Sequence, residues 1–124
     1  MKEIIIGYAP TRRSIFSAPV AREYAKKTLK RLKELGIKCV DMYDINEEGL
    51  LFDEDGRIKM AQKCREAGVD GLFLPHTNFG TEYECARLAK DLNVPVLLWG
   101  PRDECPDEQG IRQRDSQCGL FATG

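Results

Sequence analysis

The sequence holds one histidine and one tryptophan. A single imidazole without clustered partners cannot build a usual metal centre, because such centres draw three or four ligands from the protein. Cysteine does not make up the shortfall. Cys39, Cys64, Cys85, Cys105 and Cys118 are odd in number and form no CxxC pair, which argues against a zinc ribbon or a thioredoxin-type site. No apolar run approaches the roughly 20 residues needed to span a bilayer. The net charge of −1 gives no global bias toward nucleic acid or an anionic membrane. The N-terminal residues lack the length and small-residue cleavage site of a signal peptide, so a cytoplasmic location with reduced thiols is expected. Several signatures are missing as well. There is no GxGxxG, GxxxxGK[ST] or GxSxG, and no acidic pair at the end of the first apolar run.

What is present reads as one folded domain of 124 residues. Glu3 to Tyr8, Ile37 to Met42, Val69 to Leu74 and Val94 to Trp99 are short apolar runs bounded by turn residues, the pattern of buried strands. Helical spacing lies between them. Ser17 and Pro19 mark a start, Ala21, Ala25, Leu29 and Leu32 recur on one face, and Gly36 closes the run. The lysines on its other face read as a solvated surface. Asp53 or Asp55 caps a second helix that ends at Gly68. Thr81 and Glu84 have the spacing of a capping box for a third helix, from Glu82 to Leu92. Cys64 and Cys85 fall on faces that look inward and read as small core residues. Strands that alternate with helices predict a three-layer Rossmann/flavodoxin-like α/β fold, with a mostly parallel sheet of four or five strands.

The pattern breaks from Gly100 to Gln117, which shows no helical or strand period. Loops of that length in a compact domain are usually functional or disordered. Cys118 to Thr123 then reads as the start of a buried element, and the chain is expected to be truncated after Gly124.

In an open parallel sheet, ligands bind beyond the carboxyl ends of the strands. The loops there hold Arg12 and Arg13, then Asp44 to Glu48, then His76, Thr77 and Asn78, then Trp99, Arg102 and Asp103. Guanidinium, amide and carboxylate groups hydrogen-bond hydroxyls, and an aromatic face covers the apolar side of a sugar. Arg12, Arg13, His76, Asn78, Trp99 and Arg102 are therefore the candidate substrate-binding residues. Each also has a plainer role. His76 and Trp99 suit packing, Asn78 suits a turn, one of the arginines suits an ion pair with Asp44 or Glu47, and Arg102 suits a pair with Asp103.

The strand-end motifs resemble the L-fucose isomerase-like family, which is related to the L-arabinose isomerases. They are Gly7-Tyr8-Ala9-Pro10-Thr11-Arg12-Arg13, Pro75-His76-Thr77-Asn78-Phe79-Gly80-Thr81-Glu82, Leu98-Trp99-Gly100-Pro101-Arg102-Asp103-Glu104 and Arg114-Asp115-Ser116-Gln117-Cys118-Gly119-Leu120-Phe121-Ala122-Thr123. The resemblance implies the amino-terminal Rossmann-like domain of a metal-dependent aldose–ketose isomerase. It further implies that the catalytic carboxylates, and the ligands of Mn2+ or another divalent cation, lie in later domains. No catalytic or metal-binding residue is then expected in this chain. The expected partners are a sugar (L-fucose or a related aldose or ketose), the remaining domains and a neighbouring subunit, with neither nucleic acid nor membrane among them. The resemblance assigns sugar contact to Arg12 or Arg13, a pocket-wall position to Trp99 and a pocket position to His76. Two other readings stay open: an independent flavodoxin-like module for a small ligand or phosphate, and a purely structural assembly domain.

Overall fold

The first apolar run becomes β1 (Ile5–Tyr8), and β2 (Lys38–Val40) and β3 (Gly71–Pro75) pair on either side of it in a computed structural model that describes residues 2–124. β4 (Val96–Trp99) adds to β3, and all pairings are parallel, in the order β2-β1-β3-β4. Among the described residues the sheet has four strands, within the expected four or five.

The helices start where local chemistry places them. α1 (Ala18–Glu34) is capped by Ser17, whose Oγ accepts the Val20 N–H at 3.3 Å. α2 (Glu54–Ala67) is capped by Asp53 rather than Asp55, through a 2.8 Å bond from the Gly56 N–H. α3 (Glu82–Leu92) departs from expectation, because the capping box does not form. Thr81 Oγ1 donates instead to the Arg12 carbonyl at 2.6 Å, and Glu84 is buried against Arg57 Nε at 2.7 Å. A charged partner on α2 outcompetes a local N–H, since charge-assisted bonds are about twice as strong as neutral ones.

Tyr8 and Ala25 belong to the α1 side of the sheet, where the Tyr8 hydroxyl donates to the Ala25 carbonyl at 2.7 Å. Met60, Ala61, Cys64, Leu72, Leu74, Cys85 and Leu88 form the larger core, between the sheet and α2 and α3. Parallel strands are usually covered on both faces, which fits the apolar runs of β1 and β3, while Val96, Leu97 and Trp99 of β4 stay exposed. Gly7 permits α2 to come close, since a Cβ there would lie 2.9 Å from Cys64 Sγ. Cys64 and Cys85 are core residues, as expected, and burial pushes their thiols up to about 11 and about 12.

The element after the long segment is α4 (Ser116–Thr123). It is only partly the buried element the sequence suggested: Ser116 and Gly119 face inward, while Cys118 and Phe121 are exposed. Among the described residues no helix is long and apolar enough to cross a membrane.

Candidate functional site

The loops after β1, β2 and β3 are knitted together around Thr11. Its N–H donates to the Pro75 carbonyl at 2.8 Å and its Oγ1 donates to the Leu51 carbonyl at 2.9 Å. The same Oγ1 accepts the Thr81 N–H at 2.9 Å, while Thr77 Oγ1 donates to the Thr11 carbonyl at 2.9 Å. Thr11 and Thr77 are buried, so these bonds form away from competing water. The result is a stiff floor at the carboxyl end of the sheet, the end where parallel α/β folds bind ligands.

Arg12 and Arg13 rise from this floor, each held the same way. Arg12 Nε and Nη2 donate to the two Glu48 oxygens at 2.8 and 2.9 Å, and its guanidinium carbon lies 4.1 Å from the Phe52 ring centroid. Arg13 Nη2 pairs with Glu82, and its guanidinium carbon lies 4.7 Å from the Phe79 centroid. Phe79 in turn stacks on Phe16, with centroids 5.5 Å apart and planes 7° apart. The bridging carboxylates are thus Glu48 and Glu82, not Asp44 or Glu47. Asp44 instead meets Lys63 at 2.6 Å.

His76 is fully buried. Its Nδ1 lies 3.1 Å from the Leu74 carbonyl, which can only accept, so the proton sits on Nδ1. Nε2 lies 2.8 Å from Thr123 Oγ1, tying the end of β3 to α4. Burial pushes the imidazole below its ordinary value, against the opposing effects of the Leu74 bond and the Glu82 charge. Asn78 is also fully buried and both atoms of its amide are engaged, with bonds to Arg13, Ser17 and Phe79. The structure therefore brings Arg12, Arg13, His76 and Asn78 to one end of the sheet, with the arginines at the surface and the other two beneath.

Trp99 goes elsewhere. Its ring lies on the α1 side of the sheet, 6.0 Å from Phe73 and tilted 31° to it. With Tyr24, Thr28 and Leu97 it lines an open groove of about 480 Å³. Arg102 has an exposed side chain and is not paired with Asp103. Asp103 accepts the Ser116 and Gln117 N–H groups at 2.8 and 3.2 Å, and so caps α4 from a distance in sequence.

The residue that sequence reasoning missed is Arg114. It is 1% exposed, and arginine side chains stay protonated in proteins. Nη2 donates to the Arg102 carbonyl at 2.6 Å, Nη1 donates to Ser116 Oγ at 3.1 Å, and Nε lies 3.3 Å from Glu104. The guanidinium lies 4.2 Å from the Tyr24 ring centroid on α1. One signal pointed there: an ordered segment without secondary structure must satisfy its carbonyls somehow, and arginine carries five donors.

Glu104 closes this network. Burial acts against its charge, but bonds from backbone N–H groups, including those of Gln113 and Arg114, together with the Arg114 charge, outweigh burial and hold the carboxyl below its ordinary value. A depressed carboxyl contributes stability that is complete above its unfolded pKa of about 4.3 and is lost as pH falls through the lower folded value. Glu104→Gln is therefore expected to lower the melting temperature at pH 7, with the gap to the parent chain closing below about pH 4. Thermal unfolding followed by circular dichroism at pH 7 and pH 3 checks this, and an equal gap at both would contradict it.

Among the described residues, no group of three or more His, Cys, Asp or Glu side chains is placed to hold a metal ion. His76 is buried and both of its ring nitrogens are in contacts. A comparison with curated proteins and with solved structures returned no match. A family model described as fucose/sulfoquinovose isomerase, N-terminal domain, matches residues 7–124. With that match running from the end of β1 through α4, and with the parallel α/β sheet that carries it, the chain belongs to the fucose/sulfoquinovose isomerase N-terminal domain family.

Proposed function

We propose that this chain is the substrate-recognition and assembly domain of an aldose–ketose isomerase, with catalysis and metal binding carried by other parts of the protein. The observation that supports this best is the strand-end floor with Arg12 and Arg13 standing on it, in a domain of this family. Isomerisation through an enediolate requires a base, an acid and a cation to stabilise developing negative charge. This chain's own contribution is different. The remaining N–H groups of Arg12 and Arg13, and the exposed Arg102, donate to sugar hydroxyls, while Glu48 and Glu82 hold the guanidinium planes steady.

Assembly is supported by the half-exposed strip of Leu97 and Trp99 beside Phe73, an apolar surface suited to the remaining domains or a neighbouring subunit. Trp99 belongs to that role more naturally than to the sugar. The reading places the protein in the cytoplasm and in carbohydrate metabolism, with L-fucose or a related sugar as substrate and manganese or another divalent ion bound outside this chain. A phosphate-binding module is less well supported. The N–H groups of Thr11, Arg12, Arg13, Phe16 and Ser17, which would cradle a phosphate, are already bonded within the protein.

In the complete isomerase, Arg13→Ala is expected to raise KM for L-fucose about tenfold, the loss of one charged donor to a hydroxyl. The 124-residue chain alone, supplied with L-fucose and manganese, is expected to form no ketose. Turnover by that chain which a chelator abolishes would sink the division of labour.

A further inference from the structure

Arg13 lies between the bridge at Thr11 and the first turn of α1, in a loop with no ladder of its own. One side chain from across the fold supplies what a neighbouring strand would. Asn78 Oδ1 accepts the Arg13 N–H at 2.8 Å, and Asn78 Nδ2 donates to the Arg13 carbonyl at 3.1 Å. A carboxamide can do both at once because it carries an acceptor and two donors. The second donor reaches the Ser17 carbonyl at 3.3 Å, so the amide also holds the residue that caps α1. Asn78 is 0% exposed, a setting in which each unmade bond is costly. The same short stretch of chain fixes the other end of Arg13, since Phe79 lies against its guanidinium and Glu82 pairs with it.

We infer that Asn78 is a positioning residue for Arg13: it fixes the loop backbone from which the guanidinium is aimed, and does not itself touch ligand. The inference rests on Arg13 as a sugar-contacting residue. Sequence alone offers Asn78 as a direct sugar ligand, but its buried amide is already spent on Arg13, Ser17 and Phe79. The separation of roles is physical. Arg13 supplies donors at the surface, and Asn78 removes the freedom that would otherwise blur where those donors point.

Two measurements test it. In the 124-residue chain, Asn78→Ala accelerates hydrogen exchange at the Arg13 amide by about tenfold or more, while amides within β1 and β3 keep their rates. Asn78→Asp, which keeps the acceptor and loses the donor, restores protection at that amide. In the complete isomerase acting on L-fucose, Asn78→Ala raises KM about as far as Arg13→Ala does, and the double variant goes no further than Arg13→Ala alone. Unchanged exchange at Arg13, or KM effects that add, overturns the inference. Should Asn78→Ala not fold, Asn78→Asp carries the test: a KM that stays near the parent's while the Arg13 amide stays protected, or that rises as that protection is lost, supports the inference, and a KM that moves without the exchange rate, or the reverse, overturns it. If exchange accelerates while Arg13→Ala leaves KM unchanged, the sugar-contact reading of Arg13 is what has failed, and the inference falls with it.

Discussion

Arg114→Ala is expected to destabilise the chain by about 3–5 kcal/mol, the usual consequence of removing one member of a buried charged network. That is a large share of a domain's total of about 5–15 kcal/mol. The reason lies in what is stranded. Asp103 and Glu104 lie 3.6 and 3.3 Å from the guanidinium, and the side chain of Asp103 is 4% exposed. The Arg102 carbonyl and Ser116 Oγ lose donors in the same event. The stacking on Tyr24 is also lost, and with it the link from the long segment to α1. Arg114→Lys is expected to rescue little, because one ammonium cannot reproduce a planar fork that serves several acceptors in different directions. Urea unfolding of the three chains measures this directly. A loss below about 1 kcal/mol for Arg114→Ala would show that the network adds nothing beyond a surface pair.

The second large effect is expected at Gly119. A Cβ on this residue would lie 1.8 Å from the Phe79 carbonyl oxygen, and 2.6 Å from the carbonyl carbon. The obstacle is backbone, so no rotamer change relieves it. Phe79 cannot retreat easily, because its N–H is bonded to Asn78 Oδ1 and its ring is stacked on Phe16. α4 must therefore move away, breaking the contact between Thr123 Oγ1 and His76 Nε2 and the bond from the Asp115 N–H to the Asn78 carbonyl. Gly119→Ala is expected to cost about 3 kcal/mol, the upper range for overpacking a tight contact. The helix itself should gain from alanine in place of glycine, so the loss reports docking alone. Limited proteolysis after the long segment distinguishes the outcomes: faster cleavage than in the parent chain is expected, and equal cleavage would contradict a tight α4 contact.

Much of the fold was legible in the linear pattern. Ser17, Asp53 and Gly68 mark helix ends through bonds made within a few residues, and the isoleucine run at β1 announces a strand covered on both sides. These signals are local, so composition and spacing carry them. The capping box at Thr81 and Glu84 failed for the opposite reason: partners far away in the chain, Arg12 and Arg57, claimed the two side chains first. Trp99 shows the same limit. Its place at a strand end was legible, but the face to which its ring turns depends on strand alternation and on what α1 leaves uncovered.

At the candidate site, the residue types were legible and their tasks were not. That the loops after the strands hold arginines, an imidazole and an amide follows from alternating strands and helices, and the period of those elements is set by neighbours in the chain. Only packing assigns the partners. Asn78 meets Arg13, Glu48 meets Arg12, and Arg114 meets the carbonyl of Arg102, because buried donors and acceptors must find one another wherever the fold brings them within reach. Spacing in sequence holds no record of those meetings, and so the division between groups that face a ligand and groups that hold them in place is a property of the folded chain.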